Sequence, residues 1–126
     1  MSFDYDLFVI GAGPGGIAAA RLAATYGARV AISERDQVGG TCVVRACIPE
    51  KLMAYTVSFS HVFEDADESG WGKVQRRVSW QQFMTAKDRA IERLSQLHIQ
   101  HLKEAGVKLI CGQTKFLDAY TLDVGG

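Results

Sequence analysis

The segment Gly11-Ala12-Gly13-Pro14-Gly15-Gly16 limits this chain more than any other. It matches G-x-G-x-x-G, and its surroundings give the match meaning. Leu7-Phe8-Val9-Ile10 before it is short and apolar, as a buried parallel strand is. Pro14 to Tyr26 after it predicts a helix packed through Ile17, Ala18, Ala20, Leu22 and Ala24 and stopped by Gly27. Arg29–Glu34 then predicts a second strand, completing a right-handed βαβ unit. In such a turn Gly11 allows the bend, Gly13 lets the backbone approach a pyrophosphate, and the third glycine lets helix and strand pack closely. The helix N-terminus offers free N–H groups and a positive dipole end to phosphates. Glu34 ends the second strand, where an acid binds ribose hydroxyls and repels a 2′-phosphate. The site suits FAD or NAD rather than NADP.

The second informative stretch follows soon after Glu34: Gly39-Gly40-Thr41-Cys42-Val43-Val44-Arg45-Ala46-Cys47-Ile48-Pro49-Glu50-Lys51. On one regular helix, Cys42 and Cys47 would have Cα atoms about 8.7 Å apart, beyond the ~6.8 Å reach of a disulfide. A bridge therefore needs a distorted segment, or a Cys42 that precedes the regular helix. Three readings of the pair stay open: a redox disulfide, two buried thiols, and part of a zinc site. No second Cys or His pair lies at ligand spacing for zinc. His98 and His101 are three apart but suggest no metal site, and His61 is uninformative. Cys111, beside Leu109 and Ile110, is expected to be a buried thiol.

The remaining pattern is ordinary. A helix should begin near Cys47–Pro49 and run to about Phe63. Glu64–Gly70 reads as an acidic solvated loop. Ser79 suits a helix N-cap, and Phe83, Ala86, Ala90, Ile91, Leu94, Leu97 and Leu102 recur near a 3.6 period up to Gly106. Val107–Cys111 predicts a strand, and residues 116–124 a hairpin. A length of 126 residues fits one domain with a sizeable core. Lys plus Arg equals Asp plus Glu at 14 each, so no basic excess points to nucleic acid or an anionic membrane. The start Met1-Ser2-Phe3-Asp4-Tyr5-Asp6 lacks a signal peptide's basic and apolar regions, which points to the cytoplasm. There, three cysteines are not a structural disulfide framework.

Gly39-Gly40-Thr41-Cys42-x4-Cys47-x-Pro49 is similar to the signature of the flavin-dependent pyridine nucleotide–disulfide oxidoreductases, and the resemblance runs the length of the chain. Arg45 between the cysteines resembles the glutathione reductase branch more than the dihydrolipoamide branch. Ala18 and Arg21 match positions that suit negatively charged glutathione. The resemblance implies an α/β, Rossmann-like FAD-binding fold in three layers (ββα), incomplete here. Residues 1–126 would be the N-terminal part of the FAD/NAD(P)-binding domain, with NADPH-binding and dimerisation domains beyond Gly126. It implies that NADPH reduces FAD, FAD reduces a Cys42–Cys47 disulfide, and the dithiol reduces glutathione disulfide in a homodimer. Cys47 would be the flavin-side thiolate and Cys42 the interchange thiol. Gly11, Gly13, Pro14, Gly15, Gly16, Glu34, Thr41, Cys42 and Lys51 would hold the cofactor. Pro14, Arg21 and His98 would face substrate, and no metal is implied.

Three positions depart from that branch: Glu50 stands where a lysine is usual, Ala46 where glycine is usual, and His98 where a tyrosine commonly contacts substrate. This chain alone is not expected to turn over. The alternatives are a dihydrolipoamide dehydrogenase- or mercuric reductase-like flavoenzyme, or a non-catalytic FAD-binding redox module.

Overall fold

The computed structural model describes residues 2–72, 75 and 77–125. Three parallel strands form its centre: β1 (Leu7–Ile10), β2 (Val30–Glu34) and β3 (Lys108–Cys111), in the order β1-β2-β3. The register pairs Val9 with Ile32 and Ile32 with Leu109. Period-two alternation puts these residues on one face and Phe8, Ala31, Ser33 and Ile110 on the other. The first face is covered by α1 (Pro14–Thr25) and α4 (Trp80–Glu104). Ile17 and Ala20 from α1 and Leu102 from α4 join Val30 and Ile32 in one buried core. Near the second face lies the antiparallel hairpin of β4 (Gln113–Phe116) and β5 (Leu122–Gly125). Its Thr114 hydroxyl donates to the buried Ser33 hydroxyl at 2.6 Å. The layers are thus hairpin, parallel sheet and helices, the expected ββα order.

Helix boundaries follow local chemistry. Pro14 sits in the first turn of α1, and Gly27 ends it with φ +85. The Ser79 hydroxyl caps α4 by accepting from the Gln82 N–H at 3.3 Å.

Four expectations need correction. The acidic run is not a loop: α3 extends from Cys47 to Glu68, because no proline or glycine interrupts it between Pro49 in its first turn and Gly70. A short helix, α2 (Gly40–Val44), precedes α3, and the sequence pattern does not predict it. β1 is less buried than its apolar sequence suggests: it lies at the sheet edge, and Leu7 and Ile10 are exposed. Cys111 is an exposed free thiol. It closes β3 opposite Glu34, past Leu109, the last β3 residue packed on the core.

Candidate functional site

The glycine turn and the cysteine segment are built against each other. The Gly39 N–H donates to the Ala12 carbonyl at 2.8 Å. Gly40 has φ +64, and a Cβ added there would lie 2.7 Å from Gly13 Cα. Gly13 and Gly40 therefore let two backbones touch. Gly16 does a different job: its Cβ would fall 2.1 Å from the Gly11 carbonyl oxygen, so only glycine lets α1 pack this close.

The turn is suited to phosphates. Gly13 provides no side-chain cap for α1, and the first turn carries no acid. A Cβ at Gly15 would meet nothing within 4 Å, so open space lies beside the helix start. Free backbone N–H groups and the positive end of the helix dipole favour an anion there.

Glu34 fixes the next part of the cleft. One carboxylate oxygen accepts from the Ala12 N–H at 2.9 Å, the other from the Asp36 N–H at 3.0 Å. Each oxygen keeps acceptor capacity for a hydroxyl. Two cavities flank this carboxylate. One, of about 210 Å³, includes Gly11, Glu34 and Gly112. The other, of about 280 Å³, includes Glu34, Gly40, Thr41 and Arg45. A cleft from the glycine turn past an oriented acid fits an adenine dinucleotide.

The cysteines are joined: Cys42 and Cys47 form a disulfide with Cα atoms 4.7 Å apart. A break makes this possible. Cys42 lies in α2 and Cys47 begins α3, with non-helical backbone at Arg45 and Ala46 between them. Ala46 has φ −125 and ψ −96, so the position has no positive φ. Arg45 reaches back to form an ion pair with Asp36.

Pro14, Ala18 and Arg21 follow one stripe of α1, with Ala18 and Arg21 exposed and Pro14 at its start. His98 on α4 is half-buried rather than a plain surface residue. Its Nδ1 is buried with no hydrogen-bond partner among the described residues. Burial pushes the His98 pKa below its ordinary value, and nearby His101 and Arg21 push it the same way. Arg21 on α1 thus acts on His98 through its charge, the two helices being in contact. Thr41 lines the second cavity, while Glu50 and Lys51 are exposed on the first turns of α3. Among the described residues, no three His, Cys, Asp or Glu side chains form a metal-holding group.

Residues 5–124 match the family model described as pyridine nucleotide-disulphide oxidoreductase. The chain belongs to that family. Within the family, it is 54% identical over 125 residues to the glutathione reductase of Nostoc sp., covering 99% of this chain and 27% of that protein. It is 42% identical over 135 residues to the chloroplastic/mitochondrial glutathione reductase of Pisum sativum, covering 98% and 24%. Likeness to the Burkholderia cepacia glutathione reductase is 42% over 124 residues, covering 98% and 28%. The chain thus spans about a quarter of the length of these curated relatives.

Sequence reasoning missed the Asp36–Arg45 pair and the Ala12–Glu34 hydrogen bond. The paired glycines at 39 and 40, both with positive φ, were the available signal that two backbones meet there.

Proposed function

We propose that this chain is the N-terminal part of the FAD-binding domain of an NADPH-dependent reductase acting on glutathione disulfide. One observation carries the reading: a disulfide spans a helix break whose leading limb is hydrogen-bonded to the nucleotide turn. The relatives named glutathione reductase favour this substrate over a dihydrolipoamide- or mercuric-reducing role.

The residues present fit FAD. The N–H groups at the start of α1 would hold its pyrophosphate, Gly13 would admit it, and Glu34 would accept from ribose hydroxyls. Thr41, Cys42 and Lys51 would contact the rest of the cofactor. FAD, when bound, supplies the electron pair that opens the Cys42–Cys47 bond. Cys42, as a thiolate, then attacks one sulfur of glutathione disulfide and one glutathione leaves. Cys47 attacks the mixed disulfide, closes the bridge and releases the second glutathione. Each release takes up one proton. Pro14, Arg21 and His98 orient the substrate, with Arg21 favouring its carboxylates.

A homodimer and a cytoplasmic location belong to the same reading. Tyr55, Phe59 and Val62 lie along one side of α3 and are exposed, as apolar residues covered in a larger assembly would be. No helix among the described residues is long and apolar enough to cross a membrane.

The test is made on the whole polypeptide that carries this sequence. It should purify yellow and consume NADPH with glutathione disulfide. Cys42→Ser and Cys47→Ser should each abolish that turnover while keeping the flavin. Turnover that survives either substitution refutes the mechanism, and a polypeptide without flavin refutes the cofactor assignment.

A further inference from the structure

We propose that the Asp36–Arg45 ion pair is a clasp that positions Cys42 for disulfide closure, an inference that rests on reading Cys42 and Cys47 as a redox pair. Opening the bridge removes the covalent tie between α2 and α3. The leading end of α2 stays held by the Gly39 bond to Ala12, the Gly40 contact with Gly13 and buried Val43. The trailing end lies beside the break. There Arg45, the C-cap residue of α2, pairs through its guanidinium with the Asp36 carboxylate. The pair closes a loop containing Cys42 and the two positive-φ glycines, Gly39 and Gly40. The contacts at the leading end do not hold the non-helical residues Arg45 and Ala46 that link the two cysteines. A tie at Arg45 narrows how that link can move once the bridge opens, and so where the Cys42 sulfur lies relative to Cys47. Asp36 and Arg45 are therefore positioning residues for the dithiol.

Closure in a glutathione buffer is balanced. The Cys42–Cys47 bond forms, the bond of one glutathione disulfide breaks, and two electrons and two protons pass to two glutathione molecules. The paired side chains are 65% and 54% exposed. An exposed pair changes an equilibrium constant by about 1.4- to fivefold. Fivefold is about 20 mV for a two-electron couple.

The experiment uses the flavin-bound whole polypeptide, equilibrated in mixtures of reduced and oxidised glutathione. Thiols are trapped by alkylation and residues 42 and 47 are read by mass. Asp36→Asn and Arg45→Gln should each shift the balance toward the dithiol by about 1.4- to fivefold. The double variant should shift no further than the larger single shift. Added potassium chloride, at about 1 M, should move the natural protein toward the variants and leave the variants in place, because salt screens exposed pairs. If a variant fails to fold, this salt arm on the natural protein decides. A natural protein that forms the bridge but is insensitive to salt, with variants unshifted or additive, overturns the clasp alone. A natural protein that never forms the bridge overturns the redox-pair reading and the clasp together.

Discussion

Replacing Gly40 by alanine tests whether the cofactor turn and the redox segment depend on one backbone contact. Two penalties combine. Gly40 has φ +64, and an L-residue there costs about 1–2 kcal/mol. The new Cβ would also lie 2.7 Å from Gly13 Cα, a backbone atom that no rotamer change can move aside. Overpacking of this kind costs about 1–3 kcal/mol. The expected destabilisation is thus about 2–5 kcal/mol, against a typical total of about 5–15 kcal/mol. Gly27→Ala is the control. Gly27 has φ +85, but its added Cβ meets nothing within 4 Å. It should lose only the conformational part, about 1–2 kcal/mol. Urea unfolding of the two variants gives the difference, and retained flavin gives the functional reading. Relief at Gly40 requires α2 to retreat from the turn, which strains the Gly39–Ala12 hydrogen bond and should release flavin. Equal midpoints for the two variants, with flavin retained in both, would show that the contact contributes nothing.

Glu34→Ala should lower stability by about 1–3 kcal/mol and deplete bound flavin, because the Ala12 and Asp36 N–H groups lose their acceptors; urea titration and flavin absorbance check both. The Asp6 pKa is lowered to about 2, chiefly by its side-chain hydrogen bond to Arg29. Its native pKa lies below the unfolded value of about 3.9, so its contribution is present above about pH 4 and lost as pH falls toward about 2. Asp6→Asn should flatten that part of an acid-unfolding curve. His98 acts in the same direction at higher pH: its pKa is depressed, so the unfolded chain binds the proton better and stability falls as pH drops through about 6.5. His98→Gln should remove this slope, and Arg21→Gln should move the His98 titration, followed by NMR, back toward its ordinary position.

The βαβ unit is readable because three independent signals coincide at the glycine turn: an apolar strand, a helix start and an acid at the end of the next strand. The cysteine spacing is readable in part: an ideal helix places the two Cα atoms too far apart for a bridge, so the disulfide that the resemblance implies requires a break, which lies at Arg45 and Ala46. The exposure of β1 and Cys111 is not readable, because composition shows apolar character and not which strand lies at an edge. The Glu64–Glu68 run misleads because its charge suggests a loop, although nothing there ends a helix. The Asp36–Arg45 pair joins two surface charges across a bend, and neither has a local pattern that announces it. The approach of Arg21 to His98 depends on how α1 meets α4, which the resemblance suggests and periodicity alone does not supply.

The break between α2 and α3 gives the number of residues between the cysteines a geometric meaning. Each residue added to a helix rotates the chain beyond it by about 100°. One inserted or deleted residue in the interval 43–46 would therefore swing a sulfur to another side of its axis. Val43 is held there by burial and Arg45 by Asp36, and the count of the interval behaves like the tooth number of a gear.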